Sequence, residues 1–342
     1  MSNLTRASRE LFRRTPDETY SSLEALLNRC HQQRERSEDH WIAPTALWTR
    51  PMGSDRLQLT VGEDKAFAIN DWSFGQLCRL AGVTKETVNR LTPDTASRVF
   101  AETLPRGNKP LQIYAQENRA RSIHGASYTR LFDAELLDIV LECAPEFEPP
   151  PKGSTGGTGL YAGEQDMFVF LIDPQGWTDI GGETFAPGFF LWNSEVGRRA
   201  VGVETFWFQA VCQNHIVWDA VEVVEFSRKH TANVRDALLD IRRIIQTLAA
   251  KRDQRRDAFA KVIERAMQTK LGNDTDEVTA ALAKAGIGRT LARQAIELAQ
   301  EQGRFTVFAM VDALTRLARR HVNAGDRTEL DQQAGRLLTL AV

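Results

Sequence analysis

The run from Gly188 to Asn214 constrains this chain more than any other part of it. Phe189-Phe-Leu-Trp192 and Val201 to Phe208 are apolar, aromatic stretches separated by a short polar interval. Stretches of that kind read as two strands, with Asn193-Ser-Glu-Val-Gly197 supplying turn-forming residues between them. A hairpin this apolar must lie in a sheet covered by other elements. Arg198 and Arg199 follow the turn, which sets a basic pair at the sheet edge. Glu195 has no histidine or second acid beside it in sequence to act with, so it reads as a turn residue.

Further strands follow from alternation and turn signals. Arg56 to Val61 and Lys65 to Asn70 read as a hairpin, Leu111 to Ala115 and Ala120 to His124 as two more strands, and Met167 to Ile172 as another. Leu23 to Cys30 reads as a short helix, followed by a charged stretch up to His40 and then Trp41 and Trp48. Asp71 to Ser73 offer cap residues for helices at about 74–81 and 85–91, and Thr92-Pro93 starts a third. Asp133 to Cys143 has helical spacing. From Val234 the amphipathic period runs on through Phe259 and Ile263, as one long helix with at most one break, and residues 273–342 supply three or four shorter helices. The expected fold is α+β: an antiparallel sheet flanked by helices, then a helical C-terminal region. The expected divisions are an N-terminal helical or irregular segment (1–50), an α+β core (51–226) and the helical region (227–342).

With a formal net charge of -2, the chain has no global attraction to polyanions, so any such attraction must be local. Cys30, Cys78, Cys143 and Cys212 are far apart and in no zinc-like spacing, which fits free thiols in a reducing cytoplasm. The first ten residues lack the apolar core of a signal peptide, and no window has the length of a membrane span. A cytoplasmic protein without membrane contact is expected.

Motifs for chemistry are scarce. There is no GxSxG or HExxH, and the histidines are scattered. Carboxylates gather between Glu164 and Glu195 (Asp166, Asp173, Asp179, Glu183), but they read as surface groups of loops and hairpins rather than a metal site. The glycine-rich run from Lys152 to Gly159 has its lysine ahead of the glycines, opposite to a phosphate loop, and reads as a connection. No enzyme activity, cofactor or metal is expected. Gln76 to Leu91 has the form of a helix-turn-helix, with Ala81-Gly82-Val83 at the turn and Lys85, Glu86, Asn89 and Arg90 on the second helix. A packed helix pair in a core is the simpler reading of it.

Two tracts are basic. Between Arg106 and Arg130 there are five Lys/Arg and one acid, interleaved with Tyr114, His124 and Tyr128. Cations neutralise phosphates and aromatic faces stack on unpaired bases, which is the composition of a single-strand binding surface. Arg119 and Arg121, two apart on a strand, would face the same way. From Arg228 to Lys270 there are twelve Lys/Arg and five acids, a pattern that more simply coats the solvent face of a helix.

Asn193-Ser-Glu-Val-Gly197, Cys212-Gln-Asn214, Ser122-Ile-His-Gly-Ala-Ser-Tyr128 and the C-terminal Leu330 to Leu338 together resemble the phage- and plasmid-associated family known as domain of unknown function 932. The resemblance covers roughly residues 72–338. One departure is His215, where members often carry a turn glycine after the asparagine. The resemblance implies a place on a mobile element, among genes for replication, recombination and transfer. Taken with the basic tracts, it leads to the expectation of a non-catalytic nucleic-acid-binding protein that acts in single-stranded DNA binding or annealing, as a homo-oligomer. The expected contacts are Arg119, Arg121, Arg130, Arg198 and Arg199 for the backbone, with Tyr114 and Tyr128 for stacking. A duplex binder using the helix-turn-helix and a protein-interaction module of defence or counter-defence are the alternatives.

Overall fold

The computed structural model describes residues 11–62, 65–151, 159–218, 226–301 and 305–342. The N-terminal half carries β1 (Glu18–Thr19), α1 (Leu23–Glu35), β2 (Ser37–Ile42), β3 (Leu47–Met52), β4 (Arg56–Val61) and β5 (Lys65–Ile69). Helices α2 (Asp71–Leu80), α3 (Lys85–Asn89) and α4 (Pro93–Thr103) come next, then β6 (Leu111–Gln116), β7 (Arg119–Gly125) and α5 (Asp133–Cys143). The second half opens with β8 (Leu160–Ala162), β9 (Met167–Ile172), β10 (Thr178–Ile180), β11 (Glu183–Asn193), β12 (Val201–Gln209), β13 (Asn214–Ile216) and β14 (Phe226–Arg228). It closes with α6 (Asp236–Ala250), α7 (Arg252–Gln268), α8 (Thr275–Lys284), α9 (Arg289–Glu301), α10 (Val307–Ala318) and α11 (Ala324–Gly335). The α+β class expected from the sequence is the one observed.

The described residues form two sheets rather than one. The first has the order β2-β6-β7-β5-β4-β3 and is mixed, because β5 and β7 run parallel. Its two edge strands, β2 and β3, are consecutive in the chain and joined by residues 43–46. Five residue steps from Ile42 to Leu47 reach at most about 18 Å. The edges of a flat six-stranded sheet would stand about 24 Å apart, so the sheet has to curl. Its concave side takes Leu57, Leu59, Phe67, Ile69, Ile113 and Ile123 together with Phe74, Leu77 and Phe100 from α2 and α4. Of the segment up to residue 50 expected to be helical or irregular, Leu23–Glu35 is helical, while residues 37–50 are built into this sheet, with β2 paired to β6 from Ser37↔Gln116 to Ile42↔Leu111.

The second sheet is antiparallel, in the order β1-β8-β9-β11-β12-β13, with β10 on β11 and β14 on β12. Both its faces are covered, which is why its strands are apolar throughout rather than alternating with polar residues. Met167, Val169, Leu171, Phe189, Leu191, Val201 and Val203 face α1, α5 and α6. Phe168, Phe170, Phe190, Phe206 and Phe208 point the other way, toward Ala324 of α11. Phe185, Trp207 and Ile216 continue into the core of α7 to α11.

Local chemistry explains the helix boundaries. Asn70 and Ser73 form a reciprocal capping box at the start of α2, and Thr92 caps α4 with Pro93 in its first turn. The long C-terminal helix breaks once, at Lys251, between α6 and α7. The helix-turn-helix pattern resolves into α2 and a five-residue α3, shorter than a groove-reading helix. Asn89 is buried, accepting from the Phe12 amide at 2.7 Å and donating to its carbonyl at 2.9 Å. Gln76 accepts from the Ile123 amide at 2.8 Å, and Lys85 pairs with Asp71 at 2.8 Å. Gln76 thus ties the helix pair to β7 of the curled sheet, Lys85 joins the two helices, and Asn89 holds the N-terminal segment at Phe12. The glycine-rich run lies outside the described residues except for Gly159.

Candidate functional site: a buried carboxylate and a basic cleft

Between β11 and β12 the chain does not make an exposed hairpin turn. Asn193, Ser194 and Glu195 are buried and pack against the outer face of the curled sheet. The Gly197 amide donates back to the Ser194 carbonyl at 3.0 Å, with φ at Gly197 of 74°. A Cβ there would stand 2.7 Å from His124 and 3.0 Å from Tyr128, so the conformation and the space both call for glycine.

Glu195 is the centre of a polar network joining the two sheets. The Tyr114 hydroxyl donates to its Oε2 at 2.9 Å, the Asp133 amide donates to Oε1 at 3.0 Å, and the Arg121 guanidinium lies 3.6 Å from Oε2. The Glu195 carbonyl accepts from Tyr128 at 2.9 Å and from Arg130. Arg130 in turn pairs with Asp39 at 2.7 Å and lies over the Tyr114 ring, 3.6 Å from its centroid. Asn193 donates to Asp133 Oδ1 at 2.8 Å. Burial first, and the Glu195 charge second, push the Asp133 carboxyl up to about 7. The second acid that Glu195 lacks in sequence is therefore supplied in space by α5. Beside the network His124 stacks on Tyr128, with ring centroids 3.7 Å apart. Burial drives His124 down to about 3 and His230 down to about 4, which leaves both imidazoles neutral at physiological pH.

Only two of the seven expected contact residues, Arg119 and Arg198, are exposed. Tyr114, Arg121 and Arg130 are buried around Glu195, while half-buried Tyr128 holds the Ser194 and Glu195 carbonyls. Arg199 sits between Asp166 at 2.9 Å and Glu329 at 2.8 Å. The expected pairing of Arg119 with Arg121 on one face is overturned by a β-bulge. Register passes from Tyr114↔Ser122 to Ala115↔Ala120, which leaves Arg121 as the extra residue and turns it inward. What composition presents as a basic, aromatic surface is largely the tie between two sheets.

The acids between residues 164 and 195 are likewise spread among separate partners. Asp166 pairs with Arg14 and Arg199, and Asp173 with Arg252. Among the described residues no three His, Cys, Asp or Glu side chains stand close enough to hold a metal ion. Burial is the leading cause that raises all four thiols above their usual range, Cys78 and Cys212 to about 12, so none is poised as a thiolate. Much of the second basic tract is paired, as in Arg228–Asp240 at 2.8 Å, Arg242–Glu142 at 2.5 Å and Arg256–Asp253 at 3.0 Å.

Positive charge converges elsewhere. A cleft of about 550 Å³ lies between the second sheet and the end of α10. Tyr161, Phe208 and His215 line it from the sheet, and Arg316, Arg319, Arg320, His321 and Arg327 line it from α10, α11 and their junction. Asp17 is the one acidic side chain among the lining residues, and it is engaged by the Ala324 amide at 2.8 Å and by Arg14 at 3.4 Å. Arg319 donates to the Cys212 carbonyl, and Arg327 donates to the Tyr161 hydroxyl at 3.1 Å. Behind them Asp331 is buried, 3.6 Å from Arg327 Nε and 4.0 Å from His215 Nδ1. Among the described residues its two carboxyl oxygens, His215 Nδ1 and Arg327 Nε have no hydrogen-bond partner.

The cleft is electrically tense. Burial, then the neighbouring Arg327, lowers Arg319; burial, then Arg327 and Arg319, holds His215 well below its usual range. Burial raises Asp331 to about 8. Cations crowded in this way favour an anion over any other ligand.

Protein-family models, curated proteins and solved structures give no match to this chain.

The cleft had a sequence signal that the two longer tracts overshadow. Arg316-Leu-Ala-Arg-Arg-His321 holds three arginines and a histidine in six residues at a helix C-terminus. Basic side chains are common there because they favour the helix dipole. Neither Tyr161 nor His215 is near that run in the chain, so the concavity is not legible without the fold.

Proposed function

We propose that the protein is a nucleic-acid-binding protein that acts on single strands, without catalysis, and grips phosphate in the arginine cleft. The observation that carries this reading is the convergence of Arg316, Arg319, Arg320 and Arg327 where Asp17 is the lining acid. Guanidinium forks match phosphate oxygens two at a time, and partial burial strengthens each contact. The sequence resemblance to a family of mobile elements agrees with it. A second surface suits the bases: Trp41 on β2 and Trp48 on β3 are each 54 % exposed. Trp48 and Arg50 alternate onto one face of β3. These residues take over the stacking role first assigned to Tyr114 and Tyr128. Each chain brings one such cleft, so a longer strand is held by several copies.

The test is an anisotropy titration of a labelled single-stranded oligonucleotide at about 50 and 200 mM salt. Neutralising roughly three phosphates makes affinity fall about tenfold or more over that range. Arg320→Glu, at the exposed rim, weakens binding by a further factor of about ten. No binding at low salt overturns the reading, and binding indifferent to salt removes its electrostatic basis.

A further inference from the structure

The cleft concentrates its charge in one place instead of spreading it along a track. Four guanidiniums surround a volume of about 550 Å³, the size of a small-ligand site rather than of a groove for many nucleotides. A phosphate diester brings one negative charge, whereas a monoester brings between about 1.5 and 2 near neutral pH, with three oxygens free to accept. The monoester is the better match to so compact a group of cations.

The arginines are also held in place before a ligand arrives. Arg327 is buried, fixed by the Tyr161 hydroxyl at one end and the Asp331 carboxyl at the other. Arg319 is tied to the Cys212 carbonyl, and Arg316 stands 3.8 Å from Asp312. Side chains already ordered lose little freedom when an anion binds. The floor is apolar and aromatic, with Tyr161 and Phe208 buried and His215 stacked on Phe170 at 4.2 Å. Such a floor lowers the local dielectric and strengthens the ionic contacts. At the mouth, exposed His321 and Val322 offer contacts for a sugar or base.

We propose that the cleft is a pocket for a terminal phosphate monoester, taking the phosphorylated end nucleotide of a strand rather than a stretch of diester backbone. The identity of the ligand as a strand end rests on the nucleic-acid reading above; the preference for a monoester does not.

The experiment compares three labelled oligonucleotides of one sequence: 5′-phosphorylated, 3′-phosphorylated, and with hydroxyls at both ends. Each is titrated by anisotropy with the full chain and with Arg316→Gln/Arg320→Gln, whose fold is checked by thermal melting. Calorimetry with a nucleoside 5′-monophosphate runs alongside. One phosphorylated oligonucleotide binds about tenfold tighter than the hydroxyl form, and the double variant removes that difference. Equal binding of all three oligonucleotides overturns the monoester pocket and leaves single-strand binding standing. Mononucleotide binding without oligonucleotide binding supports the pocket and overturns the strand reading. Failure of every ligand to bind overturns both.

Discussion

Tyr114 shows how much the role of one side chain depends on what surrounds it. Its ring lies under Arg130, and its hydroxyl is one of the donors that satisfy the buried Glu195 carboxylate. Tyr114→Phe keeps the ring and removes that donor, so the charge is left short of a partner. The expected cost is about 1–3 kcal/mol in urea unfolding. Oligonucleotide affinity should not change, and a loss of affinity at unchanged stability would return Tyr114 to the ligand. At Asp133 the sign is the reverse. Its folded pKa is raised to about 7 from the usual 3.8 of an aspartate. The folded state therefore binds more protons between those values, and this contribution to stability is full at low pH and lost as pH rises through 7. Asp331, raised to about 8, acts in the same direction. His124 and His230, lowered to about 3 and about 4, act in the opposite direction, but only below their unfolded pKa near 6.5. Above pH 7 the histidine contributions have faded and the two acids dominate, so stability falls between pH 7 and 8. Asp133→Asn cannot ionise beside Glu195 and should exceed the wild type by about 1 kcal/mol at pH 8, the gap closing toward pH 6. Unfolding curves at the two pH values check this, and a variant less stable at pH 8 than at pH 6 by the wild-type margin would contradict it.

At the scale of elements, what could be read from the sequence follows from what each element buries. The strands β4, β6, β9, β11 and β12 carry runs that only a sheet can bury, and α5 has the bounds its leucine spacing predicts. Strands β2 and β3 escape notice because they are edges: Ser37 to Ile42 is charged and half-exposed, and Pro51 interrupts the end of β3. The Asn193 to Gly197 turn was legible as a turn. Its burial was not, because the partners Tyr114, Arg121 and Asp133 arrive from elements more than 60 residues away. Basic composition misled for the same reason, since a buried arginine and an exposed one are the same letter. The edge strand β3 carries its own test. Trp48→Ala removes a side chain that is 54 % exposed, so stability should change by less than about 1 kcal/mol. Stacking on an exposed indole is worth about 1–3 kcal/mol per base, so oligonucleotide affinity should fall roughly five- to a hundredfold. Unchanged affinity in the anisotropy titration would remove β3 from the binding surface.

At the scale of the whole molecule, the C-terminal helices are not an appendage to the two sheets. Trp207 on β12 is fully buried and stacks on Phe259 of α7, with centroids 4.0 Å apart and planes within 1° of parallel. Phe185 and Ile216 enter the same core, which continues through Ile263, Val307, Leu314 and Leu338. Across the other side of the sheet, the close approach of α11 leaves no room for a Cβ at Gly335, which would lie 2.0 Å from the Val217 carbonyl oxygen. The basic cleft has the same double origin, with its floor on the sheet and its arginines on α10 and α11. Folding and the proposed binding site therefore depend on one interface. A fragment ending at residue 235 would uncover Phe185, Trp207 and Ile216 together with the apolar face that α6 covers, a patch of the size that drives aggregation. Phe259→Ala in the full chain is the gentler probe. It removes the stacking partner of Trp207 and should cost about 3–5 kcal/mol. If the sheets and helices fold as one unit, near-ultraviolet circular dichroism, which sees Trp207, and far-ultraviolet circular dichroism, which sees the helices, will report the same lowered midpoint. Two separate transitions, with only the later helices destabilised, would show that the sheets hold together without them, and the cleft would then be an interface between independent domains.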